Sequence, residues 1–131
     1  MKAITIKQPF ASLIIEGYKE YEFRTWRTKF RGDILIHAGK GVDKKAMEKY
    51  KHLVSDFPSG CMLGIVSITD CIKIDDEARE MLKDNIVYDN VVNNKDWEGF
   101  GFKIENIRKV ENTPANGKLS LWDFEGEIIE R

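Results

Sequence analysis

The chain has 131 residues, 42% of them hydrophobic and 33% charged, which suits one globular domain with a sizeable core. No apolar run approaches the roughly 18 residues of a membrane span, and no signal-peptide pattern opens the sequence, so no membrane partner is expected and a cytoplasmic location is. The net charge of −1 is unevenly spread: residues 1–52 hold twelve Lys/Arg against six Asp/Glu (+6), and residues 53–131 hold nine against sixteen (−7), which predicts a basic surface on an otherwise acidic molecule.

Ile4-Thr5-Ile6 alternates as a short strand. Gln8-Pro9 opens a helix, since proline costs nothing in a first turn. Phe10, Leu13, Ile14 and Gly17 share one helical face, and Gly17 suits a left-handed stop. A strand over about 20–26 follows. Its alternation sends Tyr21 and Phe23 into a core and turns Glu22, Arg24 and Trp26 the other way, as the wall of a polar cleft. Lys19, Arg24, Arg27, Lys29 and Arg31 gather around Trp26 and Phe30 outside any helical pattern, whereas Lys44, Lys45, Lys49 and Lys51 read as the solvated face of a helix.

Arg31-Gly32 turns into a buried strand over 33–38. Asp43 is placed to cap a helix to about Phe57, with Ala46, Met47, Tyr50 and Val54 inward. Residues 61–74 form the longest strand, whose even positions are apolar except Asp70, with Gly64 marking a bulge or bend. Residues 75–83 are helical, 84–98 polar and loop-like, and 101–107 a further strand; Leu119 to Trp122 packs near the end, and the tail from Asp123 adds little. Cys61 and Cys71 lack metal-site spacing, with only His37 and His52 to assist, so both read as reduced structural thiols and neither metal nor cofactor is expected. The predicted fold is α+β, a small mixed β-barrel of five or six strands with flanking helices, in a single domain over 1–131.

Gly17, Lys19, Glu22 and Arg24 complete the pattern Gly-x-Lys-x-x-Glu-x-Arg, with which the chain resembles ASCH-domain proteins of the PUA-like superfamily. The likeness extends through Ile6-Lys7-Gln8-Pro9-Phe10-Ala11-Ser12-Leu13, Trp26, Arg31-Gly32, Ile36-His37-Ala38, Gly64-Ile65-Val66, Phe102 to Glu105 and Gly117 to Trp122, over roughly residues 3–124. Phe10 stands where tryptophan is usual. The resemblance implies a barrel whose cleft is lined by the signature residues and which binds RNA. Some small bacterial members hydrolyse the acyl amide of N4-acetylcytidine; in those a lysine equivalent to Lys19 is implicated in catalysis, and a threonine stands where this chain has Glu22. Their catalytic glutamate would fall near Asp75, Asp76 or Glu77, with no motif to fix which.

Each candidate has two readings. Lys19 and Glu22 are either a plain ion pair or the catalytic groups, with Lys19 as base or nucleophile, or Glu22 as base and Lys19 supporting the oxyanion. As a binder, the same pair with Arg24 would hold a phosphate and accept from an exocyclic amine or ribose hydroxyl. Lys7 and Gln8 lie beside a helix N-terminus, an anion site. Trp26 either stacks a base or packs. Arg27, Lys29 and Arg31 either track a phosphate backbone or solubilise. His37 reads as a hydrogen-bonded core histidine, Asp70 as a strand-end residue or a cleft acid, Trp97 as a lid anchor and Trp122 as core. The leading expectation is an RNA- or nucleotide-binding module. The alternative is a metal-independent amidohydrolase acting on a modified nucleoside. A protein-interaction role has less behind it, and protein partners are left unspecified.

Overall fold

Branched and apolar residues build a mixed six-stranded sheet in the structure, a computed structural model that describes residues 1–131. β1 (Lys2–Gln8) leads into α1 (Phe10–Ile15), then β2 (Tyr21–Arg24), β3 (Gly32–Val42), α2 (Lys44–Tyr50) and β4 (Cys61–Lys73). α3 (Asp76–Leu82), a 3-10 turn (Ile86–Tyr88), α4 (Asp89–Val92), β5 (Phe100–Lys109) and β6 (Leu121–Asp123) complete the chain. The strand order is β2-β5-β4-β3-β1-β6, with β1 and β3 parallel and every other pair antiparallel.

The α+β expectation holds, but the sheet is open, with β2 and β6 at its edges, so it is not a closed barrel. It curls around a cluster that takes Ile4 and Ile6 from β1, Ile34 and Ile36 from β3, Val66 and Ile68 from β4 and Phe102 and Ile104 from β5. β2 shares no ladder with β1. Instead Arg24 Nη2 donates to the Thr5 carbonyl at 2.7 Å, joining the two strands through a side chain.

β4 departs from a one-sided pattern: residues 61–68 are buried without interruption. Val66 and Ile68 face the inner cluster, while Met62 and Ile65 face a second layer with Ala3, Leu35, Val110 and Trp122. The expected bulge is present, with Leu63 the extra residue between the Ile36–Gly64 and His37–Met62 pairs. A Cβ on Gly64 would lie 2.6 Å from Ile15 Cδ1 and 2.8 Å from the Arg108 carbonyl oxygen, so this glycine lets α1 settle on the sheet.

Four other expectations need correcting. α2 ends at Tyr50, well short of Phe57, because Val54, Ser55 and Asp56 before Pro58 favour a helix poorly. The 84–98 segment is folded: Val87, Tyr88 and Val91 are buried with Leu13, Tyr50, Ile74, Ala78 and Leu82. The buried Arg79 side chain holds it by donating to the carbonyls of Val91, Asn94 and Trp97 at 3.3, 3.4 and 2.6 Å. Leu119 does not pack; it is 92% exposed. The tail docks: Phe124 N–H donates to the Met1 carbonyl, Glu111 N–H to the Ile129 carbonyl and Arg131 N–H to the Lys109 carbonyl, with Phe124 and Ile128 covering the outer cluster.

Candidate functional site

The charged motif is aimed inward by the end of α1. Gly17 takes φ 86°, the left-handed region, and open space around its missing Cβ leaves backbone conformation as the reason for glycine. Tyr18 and Lys19 N–H both donate to the Leu13 carbonyl, at 2.9 and 3.1 Å, which turns the Lys19 side chain under the helix. β2 then pairs with β5, setting Glu22 opposite Phe102. The predicted alternation is observed: Tyr21 and Phe23 pack with Tyr88, while Glu22 faces the inside of the curl.

Lys19 and Glu22 are only 3% and 7% exposed, so they are not a surface pair. Lys19 Nζ lies 3.1 Å from Glu22 Oε1, makes a short hydrogen bond to the Tyr21 carbonyl and sits 4.7 Å from the centre of the Phe23 ring. Arg24 grips the other carboxylate oxygen, Nε at 3.0 Å and Nη2 at 2.9 Å. Lys19 Nζ thus makes two hydrogen bonds and lies against an aromatic ring, and both Glu22 carboxylate oxygens are engaged. Arg24 Nη1 has no partner within the protein. Burial pushes the Lys19 pKa down, with Arg24 adding to the effect, while its contacts with Glu22 oppose it.

This trio floors a cleft of about 640 Å³ at the gap between β1 and β2. Thr5, Ile6 and Lys7 form one wall; Thr25 and Trp26 form another. Phe10, Asn90, Asn94 and Trp97 face them. Trp26 is both packing and lining, half-buried edge-on against Phe102 at 5.2 Å. Trp97 stands edge-on to Phe23 at 6.3 Å, over Gly99, where a Cβ would lie 2.3 Å from its ring and 2.5 Å from the Arg24 carbonyl oxygen.

The structure thus gathers Lys7, Lys19, Glu22, Arg24 and Trp26 at one cleft and leaves three predicted residues outside it. Gln8 is 1% exposed; its amide donates to Ser12 Oγ and the Pro58 carbonyl and accepts from Ser12 N–H, so it is spent on anchoring α1. Arg27 lies over the Phe100 ring at 5.0 Å. Arg31 donates to the carbonyls of Thr28 and Phe30 and faces the exposed Asp70 at 3.9 Å. Phe10, Asn90 and Asn94 went unrecognised; the two asparagines stand four apart, the spacing that puts side chains on one side of a helical turn.

His37 is a core residue. Thr5 Oγ1 accepts from Trp122 Nε1 at 3.1 Å and from Lys118 N–H at 3.4 Å, so its own proton goes to His37 Nδ1 at 3.2 Å. Nε2 then carries the ring proton and donates to the Ala115 carbonyl at 2.7 Å. No group of three or more His, Cys, Asp or Glu is placed to hold a metal. Both cysteines are free thiols, and burial raises the pKa of Cys61. No helix is long and apolar enough to cross a membrane.

A curled mixed sheet with a charged cleft at its side-chain-bridged gap defines a PUA-like domain. The chain belongs to the ASCH-domain family, which it matches over residues 4–113. It is 27% identical to activating signal cointegrator 1 of Mus musculus and 28% to that of Homo sapiens, in each case over 95% of this chain and 22% of the relative. The chain therefore spans about a fifth of the length of these curated relatives. Among solved structures, the ASCH protein of Zymomonas mobilis superposes with a TM-score of 0.62 over 95% of this chain and 87% of that one at 13% identity, a likeness of fold alone. A point variant of the same protein gives 0.56 over 88% and 74% at 15% identity.

Proposed function

We propose that this ASCH domain binds a nucleotide of an RNA strand in the cleft between β1 and β2. The observation that carries the reading is a pre-positioned pair, Arg24 with Nη1 unpartnered and bonded through its other edge to Glu22, at the floor of a cleft of about 640 Å³. That volume lies within the range of about 300–1,000 Å³ typical of small-ligand sites. Arg24 and Lys7 take the phosphate, Glu22 accepts from an exocyclic amine or a ribose hydroxyl, and the Trp26 ring offers a face for the base. Lys19 supports from beneath: bonded to Glu22 and the Tyr21 carbonyl, it positions Glu22 and adds positive potential. The family resemblance to RNA-binding domains supports the same reading. Fluorescence anisotropy with short labelled RNA tests it. Arg24→Ala should weaken association about tenfold or more, and unchanged affinity would sink the reading.

One observation favours the amidohydrolase alternative, the lowered pKa of Lys19, which moves the amine toward its nucleophilic neutral form. In that reaction water adds to the acetyl carbonyl of N4-acetylcytidine and the C–N bond breaks, giving acetate and cytidine. The hydrogen bonds of Nζ to Tyr21 and Glu22 and its contact with the Phe23 ring oppose it. Incubation with N4-acetylcytidine should release no cytidine above the uncatalysed level; release that Lys19→Ala abolishes would establish the hydrolase instead.

A further inference from the structure

Two further hollows adjoin the cleft, and they differ in charge. One, of about 360 Å³, shares Phe10 and Asn90 with it and lies against α2. It is lined by two carboxylates: Asp89, bound to Lys49 at 2.8 Å, and Asp43, which caps α2, while Lys45 lines it without an ion pair. The other, of about 450 Å³, shares Thr5 with the cleft and is lined by Lys40, Gly60, Asn116, Lys118 and Leu119 among others, with no carboxylate. Neither Lys40 nor Lys118 makes an ion pair; Lys118 Nζ lies over the Trp122 ring at 5.8 Å.

Thr5 is the partition between cleft and second hollow. Its carbonyl holds Arg24 on one side, and its hydroxyl holds His37, Trp122 and the backbone of Lys118 on the other. The partition is kept thin by glycine. A Cβ on Gly39 would lie 2.9 Å from Thr5 Cγ2, and one on Gly117 would lie 2.8 Å from the same atom. The loop N–H groups of Asn116 and Gly117 have no partner within the protein and add donors beside the lysines. Every polar atom of the His37 ring is satisfied, so the charged groups of the hollow are Lys40 and Lys118. It has the character of an anion seat.

We infer that the second hollow receives the phosphodiester next to the nucleotide held in the cleft, so that a single RNA strand crosses Thr5 and leaves over Lys40 and Lys118, away from α2. The inference rests on the cleft reading and adds a direction and a length requirement to it. Phosphate contacts of this kind fix the path of a strand without reading its sequence. The acid-free hollow is the one such a path can enter without facing like charge.

Affinities for cytidine 5′-monophosphate and for a labelled cytidine tetranucleotide test it, with the intact chain at several salt concentrations. In the wild type the tetranucleotide should bind about tenfold or more tighter than the monophosphate. The double variant Lys40→Gln/Lys118→Gln keeps both aliphatic stems on the surface and should lose most of that gain. Its plot of log affinity against log salt should become shallower by about 0.7 per phosphate contact removed. Lys45→Gln, on the opposite hollow, should retain the gain. An undiminished gain in the double variant overturns the inference, as does an equal loss in Lys45→Gln. Arg24→Ala separates the two claims: if it alone weakens both ligands, the cleft reading stands and the path is wrong; if it weakens neither, the cleft reading itself fails.

Discussion

Lys19 is the residue whose charge the fold must accommodate. Because burial lowers its pKa, the unfolded chain holds this proton more tightly than the folded one. The protonated lysine therefore works against folding at pH below the depressed value. That penalty is relieved as pH climbs toward the ordinary lysine range. Stability should rise over this alkaline window in the wild type, and Lys19→Met should lack the increment when urea unfolding is followed against pH. Glu22→Ala leaves two cations facing each other over a buried floor and should cost about 3–5 kcal/mol. Lys19→Met leaves Glu22 gripped by Arg24 and should cost about 1–2 kcal/mol; equal losses would show that Arg24 does not compensate Glu22. The spacing Gly17-x-Lys19-x-x-Glu22-x-Arg24 made this trio legible in the sequence. Gln8 misled because a side chain beside a helix start can serve an incoming anion or the helix itself, and the Pro58 carbonyl that claims it lies fifty residues away.

At the scale of elements, strands with branched residues were readable, and so was the cap at Asp43. What hid the helical turns of 84–98 was a dependence on a distant partner. The asparagines there look like loop formers until Arg79 ties three carbonyls together, of which those of Val91 and Asn94 also accept backbone N–H groups and that of Trp97 depends on the guanidinium. Arg79→Met should therefore destabilise the chain by about 2–3 kcal/mol. The loss should also speed amide exchange across residues 86–97 and loosen the wall carrying Asn90, Asn94 and Trp97. Exchange confined to the ends of the chain would contradict that role. The tail was misread for a similar reason: its anchors are main-chain groups of Met1, Lys109 and Glu111, which no local pattern announces. Gly64→Ala tests the α1 contact, and its clash with Ile15 and the Arg108 carbonyl should cost about 1–3 kcal/mol in thermal or urea unfolding.

Across the whole molecule, the excess of positive charge in residues 1–52 does not form one face. Lys7 goes to the cleft, Lys40 to the hollow beyond Thr5, Arg27 to the Phe100 ring and Arg31 toward Asp70. Charge counting revealed the surplus, but only the folded path of the strands decides where each cation is spent. The join between β1 and β2 carries a last consequence. A guanidinium fastened at once to a carboxylate and to a neighbouring strand gave up its rotamer freedom when the chain folded. Whatever enters from solvent meets a donor that need not be immobilised again, so the entropy usually charged to association has been settled by the closure of the sheet.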